Sequence, residues 1–367
     1  MVNEGSWAGR RIFLTGHTGF KGSWLAMWLL QMGAEVTGYA LPAEDVSLFR
    51  QAGLAGRLTH IEGDIRDLAA TEAAMAAARP DVVFHLAAQP LVRLSYEQPV
   101  ETYATNVQGT VHVLDACRRV PSVKAIVAVT SDKCYENREW IWPYRESDPM
   151  GGYDPYSSSK GAAELVISAY RRSYFSAPGG PLVASVRAGN VIGGGDWAAD
   201  RLIPDIVRAL LDNQAPYIRS PDSVRPWQHV LEALGGYLMI AQRLLAGDAS
   251  VATGWNFGPS SDDTRPVRWI ADRLTERWGN PGWQGDTGAQ PHEAKLLSLD
   301  CAKARAELGW RPTLDLGRTL DLIVAWHKAV GGGEDAFAVT SSQLVQYREQ
   351  MQANLNTHDF RSLVDAS

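Results

Sequence analysis

Tyr156 and Lys160 stand four residues apart in Tyr156-Ser157-Ser158-Ser159-Lys160, about two dozen residues after Thr130-Ser131-Asp132-Lys133-Cys134-Tyr135. On a helix this spacing puts both side chains on one face. An ammonium beside a phenol favours phenolate, so the pair reads as a base for an alcohol proton. An alcohol that loses its proton is ready to lose a hydride, and the Ser131 hydroxyl is placed to hold the same alcohol. Tyr-x-x-x-Lys alone is also an ordinary pair on a helix surface. It carries chemistry only if the chain builds a cofactor site around it.

Such a site is written near the start. Residues 11–15 form a short apolar run, which reads as a buried strand, and residues 23–32 read as a helix. Between them lies Gly16-His17-Thr18-Gly19-Phe20-Lys21-Gly22, spaced G-x-x-G-x-x-G. Glycines let the backbone approach a pyrophosphate, and the helix N-terminus faces the anion. The alternative is a tight turn with no ligand. A second strand, 35–40, ends without an obvious ribose acid or adjacent arginine, so it does not choose between NAD and NADP. Strand 57–62 delivers Asp64 and Ile65; Asp64 reads equally as an adenine contact or a helix N-cap. Strand 81–86 ends in Leu86-Ala87-Ala88-Gln89, small residues that leave room for a cofactor.

Helices at 69–78, 99–118 and 156–174 alternate with strands at 123–130 and 182–186. This rhythm predicts an α/β fold, a Rossmann-type doubly wound parallel sheet whose carboxyl edge collects Thr130, Ser131 and Asn190. The boundaries read as 8–188 for the dinucleotide-binding domain, with segments of 225–258 rejoining it. A smaller mixed α/β substrate domain follows over 189–330, then a tail over 331–367. Within it, a helix is expected over 200–211 and strands near 217–219 and 255–257. Arg201, Arg219 and Arg225 offer guanidinium groups for a diphosphate, or are surface charges. His229 reads as a helix-start residue.

Composition narrows the partners. The chain has 367 residues, 21% of them charged, and a formal net charge of -6, which argues against non-specific nucleic-acid binding. Three cysteines with no paired spacing suggest neither disulfides nor a metal site. No signal peptide or membrane-length apolar run is read, so a cytoplasmic protein is expected.

Taken together, the glycine turn, Ser131-Asp132-Lys133-Cys134-Tyr135, Asp148-Pro149-Met150-Gly151-Gly152-Tyr153-Asp154-Pro155-Tyr156 and Arg187-Ala188-Gly189-Asn190-Val191-Ile192-Gly193-Gly194-Gly195-Asp196-Trp197 resemble the extended short-chain dehydrogenases/reductases. The resemblance spans about residues 8 to 330. It is strongest to the nucleotide-sugar 4,6-dehydratase branch, and within it to members acting on CDP-glucose. It implies NAD as cofactor, held by residues 16–22, Asp64, Ile65, Leu86, Ala87, Ala88, Thr130, Tyr156 and Lys160. It implies a CDP-glucose substrate contacted by Gln89, Ser131, Asn190, Arg201, Arg219 and Arg225. Deoxysugar synthesis follows by oxidation at C4, elimination of water across C5–C6 and hydride return to C6.

In that scheme Tyr156 is the C4 base and Lys160 lowers its pKa and holds the nicotinamide ribose. Ser131 bonds the C4 hydroxyl, and Asp132 protonates the departing C6 hydroxyl. Related dehydratases carry glutamate at the next position; here Lys133 stands there. It acts either as a neutral C5 base or as a stabiliser of the enolate, while water or Tyr156 takes the proton. The resemblance also implies a homodimer built on helices 99–118 and 156–174, whose apolar stripes serve equally to bury them in the monomer. Two other readings stand beside dehydration. A 4-epimerase needs Ser131, Tyr156 and Lys160 but no acid such as Asp132, and a cofactor-sensing protein needs none of the reactive groups.

Overall fold

In a computed structural model, residues 2–279, 282–285 and 296–364 are described, with side chains as far as residue 354. Residues 280–281 and 286–295, within the expected 189–330 unit, and residues 365–367 of the tail lie outside the described residues. The strands are β1 Arg11–Thr15, β2 Glu35–Ala40, β3 Thr59–Glu62, β4 Val82–His85, β5 Ala125–Val129 and β6 Leu182–Ala188. They continue as β7 Asn190–Ile192, β8 Tyr217–Ile218, β9 Val224–His229, β10 Gly254–Phe257, β11 Thr264–Pro266 and β12 Gln284–Gly285.

Seven of them form one sheet in the order β3-β2-β1-β4-β5-β6-β10, with every neighbouring pair parallel. All these carboxyl ends therefore open at one edge. Parallel strands buried on both faces must be apolar on both. Ile12, Leu14, Val82, Phe84, Ala125 and Val127 face one layer, with Trp24 and Trp28 of helix Phe20–Gln31 and Leu234 and Leu238 of helix Val230–Leu245. Phe13, Val83 and Ile126 point the other way, onto Met75, Val113, Leu114 and Ile167. The strand alternation thus decides which helix layer each residue packs against.

Of segment 225–258, β10 pairs with β6 in the large sheet, whereas β9 pairs with β7 and β11 in a three-stranded sheet. A separate apolar cluster, including Ile192, Ile203, Ile206, Val207, Ile270 and Leu320, holds this smaller layer over the carboxyl edge. The helix expected over 200–211 begins at Leu202, because Asp200 has a φ of 60° and Arg201 is extended. The strand expected over 57–62 begins at Thr59, since a 3-10 turn at Leu54–Gly56 closes onto Arg57. The helix expected over 99–118 runs from Pro99 to Arg119 but widens to a π turn at Ala104–Gln108.

Glu232, fully buried, ties the C-terminal segments to this body. Its carboxylate accepts from the Thr313 and Leu314 backbone N–H groups and from the Tyr347 hydroxyl. Burial outweighs those donors and pushes its pKa up from 4.5 to about 7. A raised acid adds stability in full below its unfolded pKa and loses it as pH rises through the folded value. The thermal midpoint should therefore fall, relative to Glu232→Gln, between about pH 5 and 8. Parallel pH profiles of the two proteins would expose the wrong sign.

Candidate active site

The turn after β1 fits a dinucleotide pyrophosphate. Gly16 has a φ of 76°, and a Cβ there would sit 2.7 Å from the Ala87 nitrogen. A Cβ on Gly22 would come within 2.2 Å of the Gly16 oxygen. Helix Phe20–Gln31 starts at Gly19 with no side-chain cap, which leaves its first N–H groups for an anion. Gly16, Thr18, Gly19, Phe20, Lys21 and Gly22 line a cleft of about 1120 Å³ along the sheet edge.

His17 does not line that cleft. Its ring turns beneath the loop, with Nε2 2.7 Å from His60 Nδ1 and Phe49 edge-on. Gly38 makes the space, since a Cβ there would lie 2.3 Å from the imidazole. Burial first, and His60 second, push the His17 pKa down to about 3. Its ring is neutral and supports the turn from behind.

Asp64, Ile65, Leu86, Ala87, Ala88 and Thr130 all line the same cleft. The N-cap alternative for Asp64 is excluded, because Asp67 caps helix Leu68–Ala78 through the Ala70 N–H. Asp64 instead binds Arg66 at 2.6 Å, which holds its carboxyl below the usual range. Gln89, expected at the substrate, is absent from the cleft lining. Its amide donates to Thr102 Oγ1 at 2.9 Å and to the Leu91 carbonyl at 3.0 Å, so it braces the loop after β4.

The reactive residues meet on the opposite wall. β5 ends and delivers Ser131, Asp132 and Lys133 in a 3-10 turn. Helix Pro155–Ser173 brings Tyr156 and Lys160, its start fixed by Pro155 and by Asp154 accepting from the Ser157 N–H at 2.9 Å. Tyr156, Ser131, Asp132 and Lys160 are all buried, and all line the cleft. Ser131 Oγ donates to Asp132 Oδ1 at 3.0 Å and accepts from the Lys133 backbone N–H at 3.2 Å.

Electrostatics here departs from the expectation in one respect. Lys160 was expected to ease ionisation of Tyr156. Burial instead pushes the phenol up to about 12, and the influences favouring phenolate are the Ser131 hydroxyl and the charge of Arg201. Lys160 is itself so deeply buried that its pKa falls to about 8, against Cys134 and Glu164. Burial also pushes the Asp132 carboxyl up, over the opposing effects of Lys133, Ser131 and Lys21. A carboxyl held above its usual range is suited to giving up a proton. Lys21 falls to about 8 through burial and then Arg201, while Asp132 works to keep it charged.

Beneath this wall lies a buried ion pair. Glu164, one turn beyond Lys160, accepts from Arg187 Nε and Nη2, both at 2.8 Å, from Ser185 at 2.8 Å and from Thr130 Oγ1 at 2.5 Å. Arg187 also donates to the Tyr135 hydroxyl, which donates to Asn256. On the far wall Asn190, Arg201, Arg219 and Arg225 line the cleft, as do Asp196, Asp200 and Asp205. Arg201 pairs with Asp196 at 3.0 Å, and Arg219 with Asp200 at 2.7 Å. His229 caps helix Val230–Leu245 through the Leu231 N–H.

Two participants escaped the sequence reading. Arg93 lines the cleft from helix Val92–Glu97 and reaches Asp200 at 3.6 Å. Its signal was an arginine just after the Ala87-Ala88 strand end, whereas cations were sought only in the later region. Asn106, in the π turn, links Gln89 to Ser159 on helix Pro155–Ser173, donating at 3.0 and 2.9 Å.

A family model described as GDP-mannose 4,6 dehydratase matches residues 13–322. The chain is 54% identical over 353 residues to the CDP-glucose 4,6-dehydratase of Salmonella typhimurium, across 95% of this chain and 98% of that one. Identity to a dTDP-glucose 4,6-dehydratase of Streptomyces antibioticus is 28%, across 86% of this chain and 92% of the relative. Among solved structures, DesIV of Streptomyces venezuelae, a dTDP-glucose 4,6-dehydratase with NAD and TYD bound, superposes with a TM-score of 0.75. It is 26% identical, and the match covers 89% of this chain and 99% of DesIV. A UDP-glucose 4-epimerase of Thermotoga maritima shares the fold, with a TM-score of 0.76 at 23% identity over 87% of this chain and 99% of the epimerase.

Removing one half of the buried pair leaves an unpaired charge. Arg187→Met should cost about 3–5 kcal/mol in denaturant unfolding, while the double change Glu164→Gln with Arg187→Met should cost less than the two single changes added together. Additive losses in that cycle would deny the pairing. Gly22→Ala should weaken dinucleotide binding in calorimetry while the thermal transition stays cooperative.

Proposed function

Because the chain belongs to the GDP-mannose 4,6-dehydratase family, we propose that its cleft residues turn CDP-glucose into CDP-4-keto-6-deoxyglucose and water. The chain is an NAD-dependent hydro-lyase of that family. One observation carries the dehydratase reading. The buried carboxyl of Asp132, pushed up by its surroundings, accepts from the Ser131 hydroxyl at 3.0 Å and lines the same cleft as Tyr156. An epimerase has no leaving hydroxyl to protonate and no use for such an acid. The identity of 54% to the Salmonella enzyme supports CDP-glucose over other nucleotide sugars.

Bound NAD would supply the acceptor for the C4 hydride and its return to C6. Residues 16 and 18–22 would hold its pyrophosphate, Asp64 and Ile65 its adenosine, and Lys160 its nicotinamide ribose. Leu86, Ala87, Ala88 and Thr130 shape the floor. Tyr156 takes the C4 hydroxyl proton, with Ser131 orienting that hydroxyl. The ketone at C4 acidifies C5–H, and Asp132 protonates the C6 hydroxyl as it leaves. Water takes the C5 proton while the Lys133 ammonium stabilises the charge that develops at C5. Asn190, Arg201, Arg219 and Arg225 engage the nucleotide diphosphate, with Arg93 reaching the same space. Guanidinium groups suit that task because they meet phosphate oxygens in pairs.

The chain is further read as a cytoplasmic homodimer. Its three cysteines are free and buried, which suits a reducing compartment. Among the described residues, no helix is long and apolar enough to cross a membrane. Val100, Tyr103 and Leu165 are exposed on the paired helices expected at the interface.

Tyr156→Phe should abolish turnover of CDP-glucose, and undiminished water loss by product mass would remove its role. Asp132→Asn should let the absorbance of reduced nicotinamide build up while water loss slows by about 10²- to 10⁴-fold. A panel of CDP-, dTDP-, GDP- and UDP-glucose tests the base preference, and an isomer of unchanged mass would mark an epimerase. Leu165→Glu should shift the sedimentation of the protein to the monomer.

A further inference from the structure

The far wall of the cleft carries carboxylates among its arginines, and they are of two kinds. Asp196 is buried, and its Oδ1 accepts from the Ala198 backbone N–H at 3.2 Å. Both of its oxygens accept from Arg201 Nη1, at 3.2 and 3.0 Å. A carboxylate held by backbone and guanidinium together, out of reach of water, belongs to the fold. Asp200 is different. Its side chain is 46% exposed, and it lies in the turn before helix Leu202–Leu211, where no strand or helix holds it.

The partners of Asp200 come from two separate parts of the molecule. Arg219, just beyond β8, donates from Nη1 to Asp200 Oδ1 at 2.7 Å. Arg93 Nη1, on helix Val92–Glu97 after β4, stands 3.6 Å from the same oxygen. One oxygen thus sits between two guanidinium groups that line the cleft from different sides. That is the arrangement a phosphate oxygen takes among arginines. The hydrogen bond from Arg219 holds the Asp200 carboxyl below its usual range, so an anion occupies this point. Without one, two cations would face each other there. Arg219 has a second anchor, since its Nη2 lies 3.3 Å from Asp205 Oδ2, and Asp205 in turn pairs with Arg208. Arg219 therefore keeps its position when Asp200 moves. Ion pairs as exposed as these are weak enough for a ligand to break.

We propose that the Asp200 carboxylate stands in the place of a phosphate oxygen until the diphosphate of the sugar nucleotide displaces it. The incoming diphosphate takes over Arg219 and Arg93, and Asp200 turns out toward water. Asp200 is then a determinant of affinity that acts against the substrate. It keeps the two arginines together at the cost of part of their attraction for phosphate, and it lowers the affinity for every ligand that must remove it. A ligand without phosphate leaves it in place. The inference rests on the nucleotide-sugar reading of the same cleft.

The test is calorimetric titration of the NAD-loaded protein with CDP and with cytidine, on wild type and Asp200→Asn. Asparagine tolerates the φ of 60° at this position as aspartate does, so the turn is preserved. Asp200→Asn should bind CDP about fivefold more tightly than wild type and cytidine equally well. A carboxylate that merely held Arg219 in position would give the opposite sign, weaker binding of CDP by Asp200→Asn, and that result overturns the proposal. Unchanged affinity for CDP, or an equal gain for cytidine, overturns it too. Should the variant fail to fold, a crystal structure of wild type with CDP decides. A phosphate oxygen beside Arg219 with Asp200 turned away bears the proposal out, and CDP bound with the Asp200–Arg219 pair intact refutes it. A wild type that binds neither CDP nor CDP-glucose would instead sink the nucleotide-sugar reading.

Discussion

A carboxylate and a guanidinium, both out of reach of water, hold the reactive wall in place. Glu164 and Arg187 are about 4% exposed and share two hydrogen bonds at 2.8 Å. A carboxylate so deeply buried persists only if its lone pairs are filled. It fills them with Arg187 and Ser185 of β6 and with Thr130, the residue before Ser131. The same carboxylate sits one helical turn from Lys160. Helix Pro155–Ser173, the residue after β5 and β6 itself are therefore fixed to one another by a single charge. Moving any of them leaves a buried ion unsatisfied, which gives the site rigidity that apolar packing alone does not enforce.

Above that foundation the cleft is an arrangement of opposed charges. Lys21 and Lys160 are held well below their ordinary pKa by burial, and Asp132 is held above its own. Each shift brings a group nearer to neutral, where proton transfer is cheapest. On the far wall Arg201 and Arg219 are paired with Asp196 and Asp200, so much of their charge is already answered within the protein.

Much of this was legible in residues alone. The β1 run, the glycine turn and the Tyr156–Lys160 spacing are local patterns with local causes, and the seven parallel strands follow from their repetition. Less legible were features set by what folds back from far away. His17 sits inside the glycine turn in sequence but turns under it, because Gly38, twenty-one residues on, opens the space. Gln89 follows the small residues after β4, yet Thr102 captures its amide. The Tyr156 pKa was read from one neighbour, whereas burial dominates it. Asp200 delays the start of the expected helix to Leu202 through a backbone angle that no propensity predicts. Pairing between distant segments, and depth below the surface, are what a linear reading lacks.

The π turn at Ala104–Gln108 has an evolutionary consequence. Such a turn is a helix that has accepted one extra residue without losing its ends. Deleting a single residue there would restore a uniform spiral and rotate every upstream side chain by about 100° relative to the rest. Asn106 would then swing off the bridge it makes between the loop after β4 and Ser159. The helix face upstream of the turn would rotate with it, carrying the exposed Val100 and Tyr103 round, and the loop after β4 would lose its brace. A change of length at this point is thus felt inside the molecule as well as on its surface.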